Sequence, residues 1–170
     1  ASLNIGGNFN QSSTTQTTVN KIGASEFTRE GFDRKAGIYV TGVPLTQMSN
    51  NTENLSTTLT IRVGGDTTLK GSEIVNNNGS SIIKTEGNLE IGSIRIREMN
   101  SGIADAKNYN KQEKREDIGS NISALGNVVL SAKNINGKAV HLSSQQGNVA
   151  LLADKDITLE NGEKYFEMDQ

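Results

Sequence analysis

The side chains able to do chemistry in this chain are few and scattered. Paired carboxylates on one outer face would suit glycoside or polysaccharide cleavage. Glu86, Glu90 and Glu98 come nearest to such a set, but they fall in different phases of the surrounding pattern and are not expected to converge. Asp66, Asp154 and Asp156 resemble calcium-binding turns. That chemistry needs Gly-Gly-x-Gly-x-Asp in consecutive turns, and Asn stands in most of the equivalent positions. His141 is the only histidine, and no Asp-Ser pair or second His is spaced to work with it. Between Val140 and Leu142 on a strand, it is predicted to face solvent. The absence of Cys excludes disulfides and thiolate metal sites. No catalytic residue, metal-ligand set or cofactor site is therefore expected. What remains is the charged stretch Glu98 to Asp117. There Lys107, Tyr109, Lys111, Lys114 and Arg115 would form an interaction loop, because binding concentrates on loops held by a rigid scaffold.

That scaffold is read from a repeat. Gly126-Asn127 and Gly147-Asn148 stand 21 residues apart, and each opens an alternating run. Val128, Leu130 and Ala132 follow the first pair, and Val149, Leu151 and Ala153 follow the second. Gly65-Asp66 precedes Thr67, Leu69 and Gly71, and Gly87-Asn88 precedes Leu89, Ile91 and Ser93. Alternation at period two means strand. The Gly-Asx pair is turn chemistry, since these residues tolerate positive φ. A turn, a strand, a bend and a second strand would fill each period. The fold expected is all-β: a right-handed parallel β-helix with loop insertions, one domain over residues 1–170, clearest over 64–160 and interrupted at 98–117. Stacked coils would set Leu69, Ile91, Leu130 and Leu151 in one aliphatic ladder. Gly71, Ser93, Ala132 and Ala153 would form a small-residue row. Asp66, Asn88, Asn127 and Asn148 would bond along the stack.

Composition agrees with a narrow core. Aromatics are 4%, Trp is absent and Gly occurs 18 times, which suits stacked aliphatics better than bulky rings. A net charge of −2 argues against nucleic acid or anionic lipid as the main partner. No apolar run is long enough to span a bilayer as a helix. The opening Ala1-Ser2-Leu3 reads as a segment of a longer protein.

In chain order, Leu3 to Phe9 is an entry coil, and Gln11 to Thr18 an outer strand or loop. Gly23 to Arg34 has no clean period and is expected to be a protrusion or irregular coil. Gly37 to Val43 is a strand ended by Pro44, and Thr46 to Thr57 a polar loop. Leu59, Ile61 and Val63 alternate as a strand. Lys107 to Asp117 is expected to be a short helix or a mobile loop. Gly162 to Gln170, with Tyr165, Phe166 and Met168, would cap the last coil or link onward.

The repeat residues resemble a known group. IGSNISALGNVVLSAKNI and GNVALLADKDITLE are similar to the haemagglutinin repeats of large secreted exoproteins of Gram-negative bacteria. These are the filamentous haemagglutinin-like adhesins and the stalk proteins of contact-dependent growth inhibition. Gly119, Ser120, Ile122, Ala124, Gly126, Asn127, Val128, Leu130, Ala132, Asn134 and Ile135 fit the pattern. Gly147, Asn148, Val149, Leu151, Ala153, Asp156 and Ile157 fit its second half. The resemblance implies a non-enzymatic stalk segment on the cell surface, exported by two-partner secretion. Its partners would be an outer-membrane transporter, engaged through an N-terminal domain not seen here, and a receptor or glycan on host or bacterial cells. Two other readings stand beside it: a carbohydrate-active parallel β-helix enzyme, and an autotransporter passenger segment.

Overall fold

The computed structural model describes residues 1–40, 58–105 and 108–169, and the regular structure among them is all β. The chain runs in circuits. The first is β1 (Ser2–Ile5) and β2 (Phe9–Ser12), a hairpin of β3 (Thr14–Ile22) and β4 (Ser25–Arg34), then β5 (Gly37–Val40). The second is β6 (Leu59–Val63), β7 (Thr67–Lys70) and β8 (Glu73–Asn76). The third is β9 (Ser81–Thr85) and β10 (Asn88–Gly92), a hairpin of β11 (Ile94–Asp105) and β12 (Asn108–Ile118), then β13 (Ser120–Ala124). The fourth is β14 (Val128–Ala132), β15 (Asn134–Lys138) and β16 (Val140–Ser144). The last holds β17 (Val149–Ala153), β18 (Ile157–Glu160) and β19 (Lys164–Asp169).

Equivalent strands of successive circuits pair in parallel. Sheet A is ordered β1-β6-β9-β14-β17, sheet B β2-β7-β10-β15-β18, and sheet C β5-β8-β13-β16. The first four circuits visit A, then B, then C, and the last visits A and B. The two hairpins and β19 leave between B and C, and they form a separate antiparallel sheet ordered β3-β4-β11-β12-β19.

Alternation buries one face of the strands in the middle of the stack, such as β6 and β14. In sheet A the ladder Leu3, Ile61, Ile83, Leu130, Leu151 is in register. Sheet B contributes Leu69, Leu89, Ile91 and Ile135, and sheet C Ile74 and Ile122. Each fully buried side chain of this size contributes about 1.5–3 kcal/mol. Burial fades at the ends of the stack: Ile61 and Leu130 are fully buried, whereas Leu3 is 37% exposed.

Two features of the expected repeat are corrected. A circuit holds three strands, not two, and the four Gly-Asx copies are not one row. Gly65-Asp66 and Gly87-Asn88 sit at the corner from A to B. Gly126-Asn127 and Gly147-Asn148 sit at the corner from C to A. Leu69 therefore pairs with Ile91 in sheet B, while Leu130 pairs with Leu151 in sheet A. The small-residue row divides the same way, with Ala132 beside Ala153 in sheet A.

The Asx side chains do bond along the stack, in two ladders. At the A-to-B corner, the Asn8 Oδ1 accepts from the Asp66 amide at 2.9 Å, and the Asp66 carboxylate accepts from the Asn88 amide at 2.8 Å. Asn134 Nδ2 donates to Asn88 Oδ1 at 2.9 Å, and the Asp156 amide to Asn134 Oδ1 at 3.3 Å. At the other corner the Asn148 amide donates to Asn127 Oδ1 at 2.8 Å. The glycines serve this contact rather than a positive φ, which none of the four has. A Cβ on Gly87 would strike the Asp66 carboxylate, and one on Gly147 the Asn127 amide.

Three further expectations change. The stretch 98–117 is neither helix nor loop: apart from 106 and 107, which lie outside the described residues, it is strand. Gly23 to Arg34 does leave the stack as a protrusion, but not as irregular coil: after the turn at Gly23, with φ +60°, it is strand β4 paired with β3. The tail does not cover the last circuit. β19 pairs with β12, and Val149, Ile157 and Leu159 stay exposed. The end of the strand expected to reach Val43, Pro44 and the loop at 46–57 lie outside the described residues.

Candidate interaction surface

The hairpins are rooted by two buried hydroxyls. Ser13, at the foot of the first, donates to the Gly71 carbonyl at 2.6 Å and accepts from the Ala36 amide at 2.8 Å. Ser120, at the foot of the second, donates to the Gly92 carbonyl at 2.8 Å and accepts from the Ser72 amide at 3.1 Å. Each joins the two legs of its hairpin to the Gly71-Ser72 corner of the second circuit. A buried hydroxyl satisfied in both directions replaces the backbone bonds that the excursion interrupts.

The pleat of β11 and β12 divides their side chains between two faces. One face is locked by charge. Glu113 is 4% exposed and lies 2.7 Å from both Arg97 Nε and Arg115 Nε. The Arg115 hydrogen bond, helped by the nearby Arg97 and Lys111, holds the Glu113 carboxyl below the usual range. Asp117 meets Arg95 at 3.0 Å and Lys138 of β15 at 3.7 Å, and accepts from the Glu163 amide at 3.0 Å. Its pKa is lowered, first by the Arg95 hydrogen bond. Arg95 also reaches Glu163 at 3.1 Å, which ties the chain before β19 to the hairpin.

The other face is open. Register sets Phe27, Asn100, Gln112 and Met168 in one cross-strand row, and Thr18, Arg29, Glu98, Lys114 and Phe166 in the next. Phe27 is 43%, Phe166 58% and Met168 56% exposed. Arg29 faces Glu98 loosely, at 3.8 Å. Gly31 has open space where a Cβ would stand, and a pocket of about 280 Å³ opens there between Arg29, Ile96, Glu98, Lys114 and Glu116. Exposed aromatic, thioether and guanidinium groups on one face are the residue types that anchor protein interfaces.

The residues expected in one interaction loop are thus distributed by the pleat. Lys114 lies on the open face. Lys111 and Arg115 lie on the locked one, with Arg115 engaged by Glu113. Tyr109 stands opposite Ile103 in the ladder, and Lys107 lies outside the described residues. Phe27, Phe166, Met168 and Arg29 were missed as a set because they come from both ends of the chain and meet only through pairing.

The remaining candidates do not converge. Glu86 is at a turn, Glu90 on sheet B and Glu98 on the antiparallel sheet. Glu90 stands in register with Thr68 and Asn136, so no second carboxylate faces it from an adjacent circuit. It borders a cleft of about 790 Å³ between sheet B and the root of the second hairpin, with Lys70, Arg95, Asp117, Lys138 and Glu160. His141 is exposed on β16. Among the described residues no group of three His, Asp or Glu could hold a metal ion, and no helix is long and apolar enough to cross a membrane.

The hemagglutinin-repeat family model matches residues 101–170, from within β11 through β19. This is the family that the repeat residues resemble. No curated protein and no solved structure matches the chain.

Proposed function

We propose that this chain is an adhesive stalk segment of a filamentous haemagglutinin-like exoprotein, displayed outside the cell. The observation that carries the proposal is the pairing of a self-stacking framework with an exposed, aromatic-bearing face, together with the hemagglutinin-repeat match over residues 101–170. The circuits are the windings of a parallel β-helix. Parallel crossovers are right-handed in almost all known cases, which sets the hand. Each winding adds about 4.8 Å of length, so the framework lengthens with few residue types. Secretion by the two-partner route, through an outer-membrane transporter, accounts for how such a segment reaches the surface. Its partner is a receptor or glycan on a neighbouring cell, met by the face bearing Phe27, Lys114, Phe166 and Met168. The segment is not an enzyme on this reading.

Beads coated with the chain test it. They should adhere to host epithelial or bacterial cells, and Phe166→Asp combined with Lys114→Glu should remove most of that adhesion while the far-UV spectrum is unchanged. Full adhesion by the double variant would exclude this face. Release of new reducing ends from a polysaccharide panel would favour the enzyme reading instead.

A further inference from the structure

We propose that the outer edge of β3 is a self-association site, at which two copies of the chain join their antiparallel sheets about a two-fold axis through Thr17. This goes beyond the adhesive reading and does not depend on it, because it uses the edge of the sheet and not its open face. β3 is nine residues long and exposed along its whole length. It is the terminal strand of its sheet, and among the described residues no strand pairs with its outer side.

The phase of its free backbone groups follows from the hairpin. Ile22 and Ser25 close a two-residue turn, so they form a hydrogen-bonded pair. Alternation then turns the amides and carbonyls of Asn20, Thr18 and Gln16 inward to β4. Those of Lys21, Val19, Thr17 and Thr15 point to the empty side. An unpaired row of this kind is a template for another strand.

Residues 14–20 (TTQTTVN) contain no charge and no Pro. The opposite edge of the same sheet, β19, carries Lys164 and Glu167. Edge charges are a common guard against pairing, and β3 lacks them until Lys21. The segment also complements itself. A two-fold axis at Thr17 sets Thr17 against Thr17 of the second copy and Thr15 against its Val19, in both directions. Every pair brings outward-pointing groups together and exchanges two N–H···O bonds. All of these side chains are β-branched, and Thr-Thr and Thr-Val cross-strand pairs are favourable. Lys21 falls beyond the paired stretch, so no like charges meet. Centring the axis on Thr15 would draw in Ser13, which is already committed to Gly71 and Ala36. Centring it on Val19 would place Gly23 of the turn opposite Thr15. Thr17 is the centre that uses most of the free edge.

The paired edge is short, so the dimer should be weak alone and strengthened where many copies share a surface. Sedimentation velocity of the whole chain from about 10 μM to about 1 mM should show a rise toward dimer. Thr17→Pro removes an outward amide that the fold does not use, and Val19→Lys restores an edge charge. Both should remain monomeric at the highest concentration, with wild-type circular dichroism. A second measurement does not depend on those variants folding. The chain has no Cys. A Thr17→Cys variant should therefore cross-link into disulfide dimers on oxidation at least tenfold faster than Lys155→Cys, an exposed site elsewhere. The proposal is overturned if the wild type stays monomeric throughout, if both edge variants dimerise as it does, or if the two cysteines cross-link at equal rates. It is equally overturned if a TTQTTVN peptide binds β3 while the chain itself stays monomeric.

Discussion

The parallel stack and the antiparallel sheet are both made of strands, yet different forces hold them. In the stack, Ile61, Leu69, Ile83, Leu89 and Leu130 are fully or almost fully buried, and each circuit lies on the one below. In the antiparallel sheet the core is replaced by cross-strand pairs. Glu113 lies between two guanidiniums, and Asp117 is tied to Arg95, Lys138 and the chain before β19. Burial of apolar surface does not depend on pH or salt in the way ion pairs do. The stack should therefore fail all at once, and the antiparallel sheet by degrees and under other conditions.

Leu130→Asp should have the largest effect. It puts a carboxylate in the centre of the core, where Leu130 is fully buried in an aliphatic cluster. The expected loss exceeds about 5 kcal/mol, comparable with the whole stability of a domain. Since both hairpins are rooted in the stack through Ser13 and Ser120, the antiparallel sheet should unfold with it. Thermal melting followed by circular dichroism should show no cooperative transition. A variant that kept the antiparallel sheet folded would break the comparison by making that sheet independent.

Gly87→Ala comes next. Its new Cβ would meet the Asp66 carboxylate and, at 2.8 Å, the Gly65 carbonyl. Neither can move far without parting two circuits, so a loss of about 1–3 kcal/mol is expected. Gly92→Ala, at the far end of the strand that follows, has nothing nearer than 3.8 Å and should stay within about 0.5 kcal/mol. Urea midpoints measure both. Equal losses would mean that strand propensity, and not the close approach of the Asx ladder, explains the Gly-Asx phrase.

These two sites also mark what could be read without coordinates. The alternation around Leu59, Leu69, Leu130 and Leu151 is local, so the apolar strands and the bonding of Asx along the stack were legible. The number of strands in a circuit was not. One phrase, Gly-Asx followed by an apolar strand, solves two corners, because both need a side chain bonded to the next circuit and a bare Cα above it. The antiparallel sheet was illegible for the converse reason. Residues 111–117 (KQEKRED) alternate nothing apolar, and the partners that make them a strand lie across the ladder at Arg95, Arg97 and 164–169. Charge pairing between strands leaves no period within either strand.

A fall in pH separates the two regions more gently. The carboxyls of Glu113 and Asp117, both on β12 of the antiparallel sheet, are held below their usual pKa, first by guanidinium hydrogen bonds. A depressed carboxyl stabilises the fold fully above its unfolded value, about 4, and loses that contribution as pH falls through its folded value. Between neutral pH and about pH 3, amides of β11 and β12 should thus lose hydrogen-exchange protection while those of β9 and β14 keep it. Uniform loss across both regions would show that the ion pairs stabilise the stack as much as the sheet they cross-link.

The smallest effect expected is a gain. Only the second and fourth circuits pass from sheet B to sheet C without an excursion, and their corners are Gly71 and Ala139, each with φ 55°. Where a hairpin or β19 leaves, no such residue occurs, because the excursion turns the chain gradually. A direct crossing needs one left-handed residue, which costs an alanine roughly 1 kcal/mol relative to glycine. Ala139→Gly should relieve that strain, less the entropy of a freer unfolded chain, and raise the melting temperature by up to about 2–4 °C. Gly71→Ala should lower it by more, because its Cβ would also press on Ile94 at 2.8 Å. If both substitutions shifted the melting temperature in the same direction, the two direct corners would not be equivalent, and the difference between plain and hairpin-bearing circuits would rest on the hairpins alone.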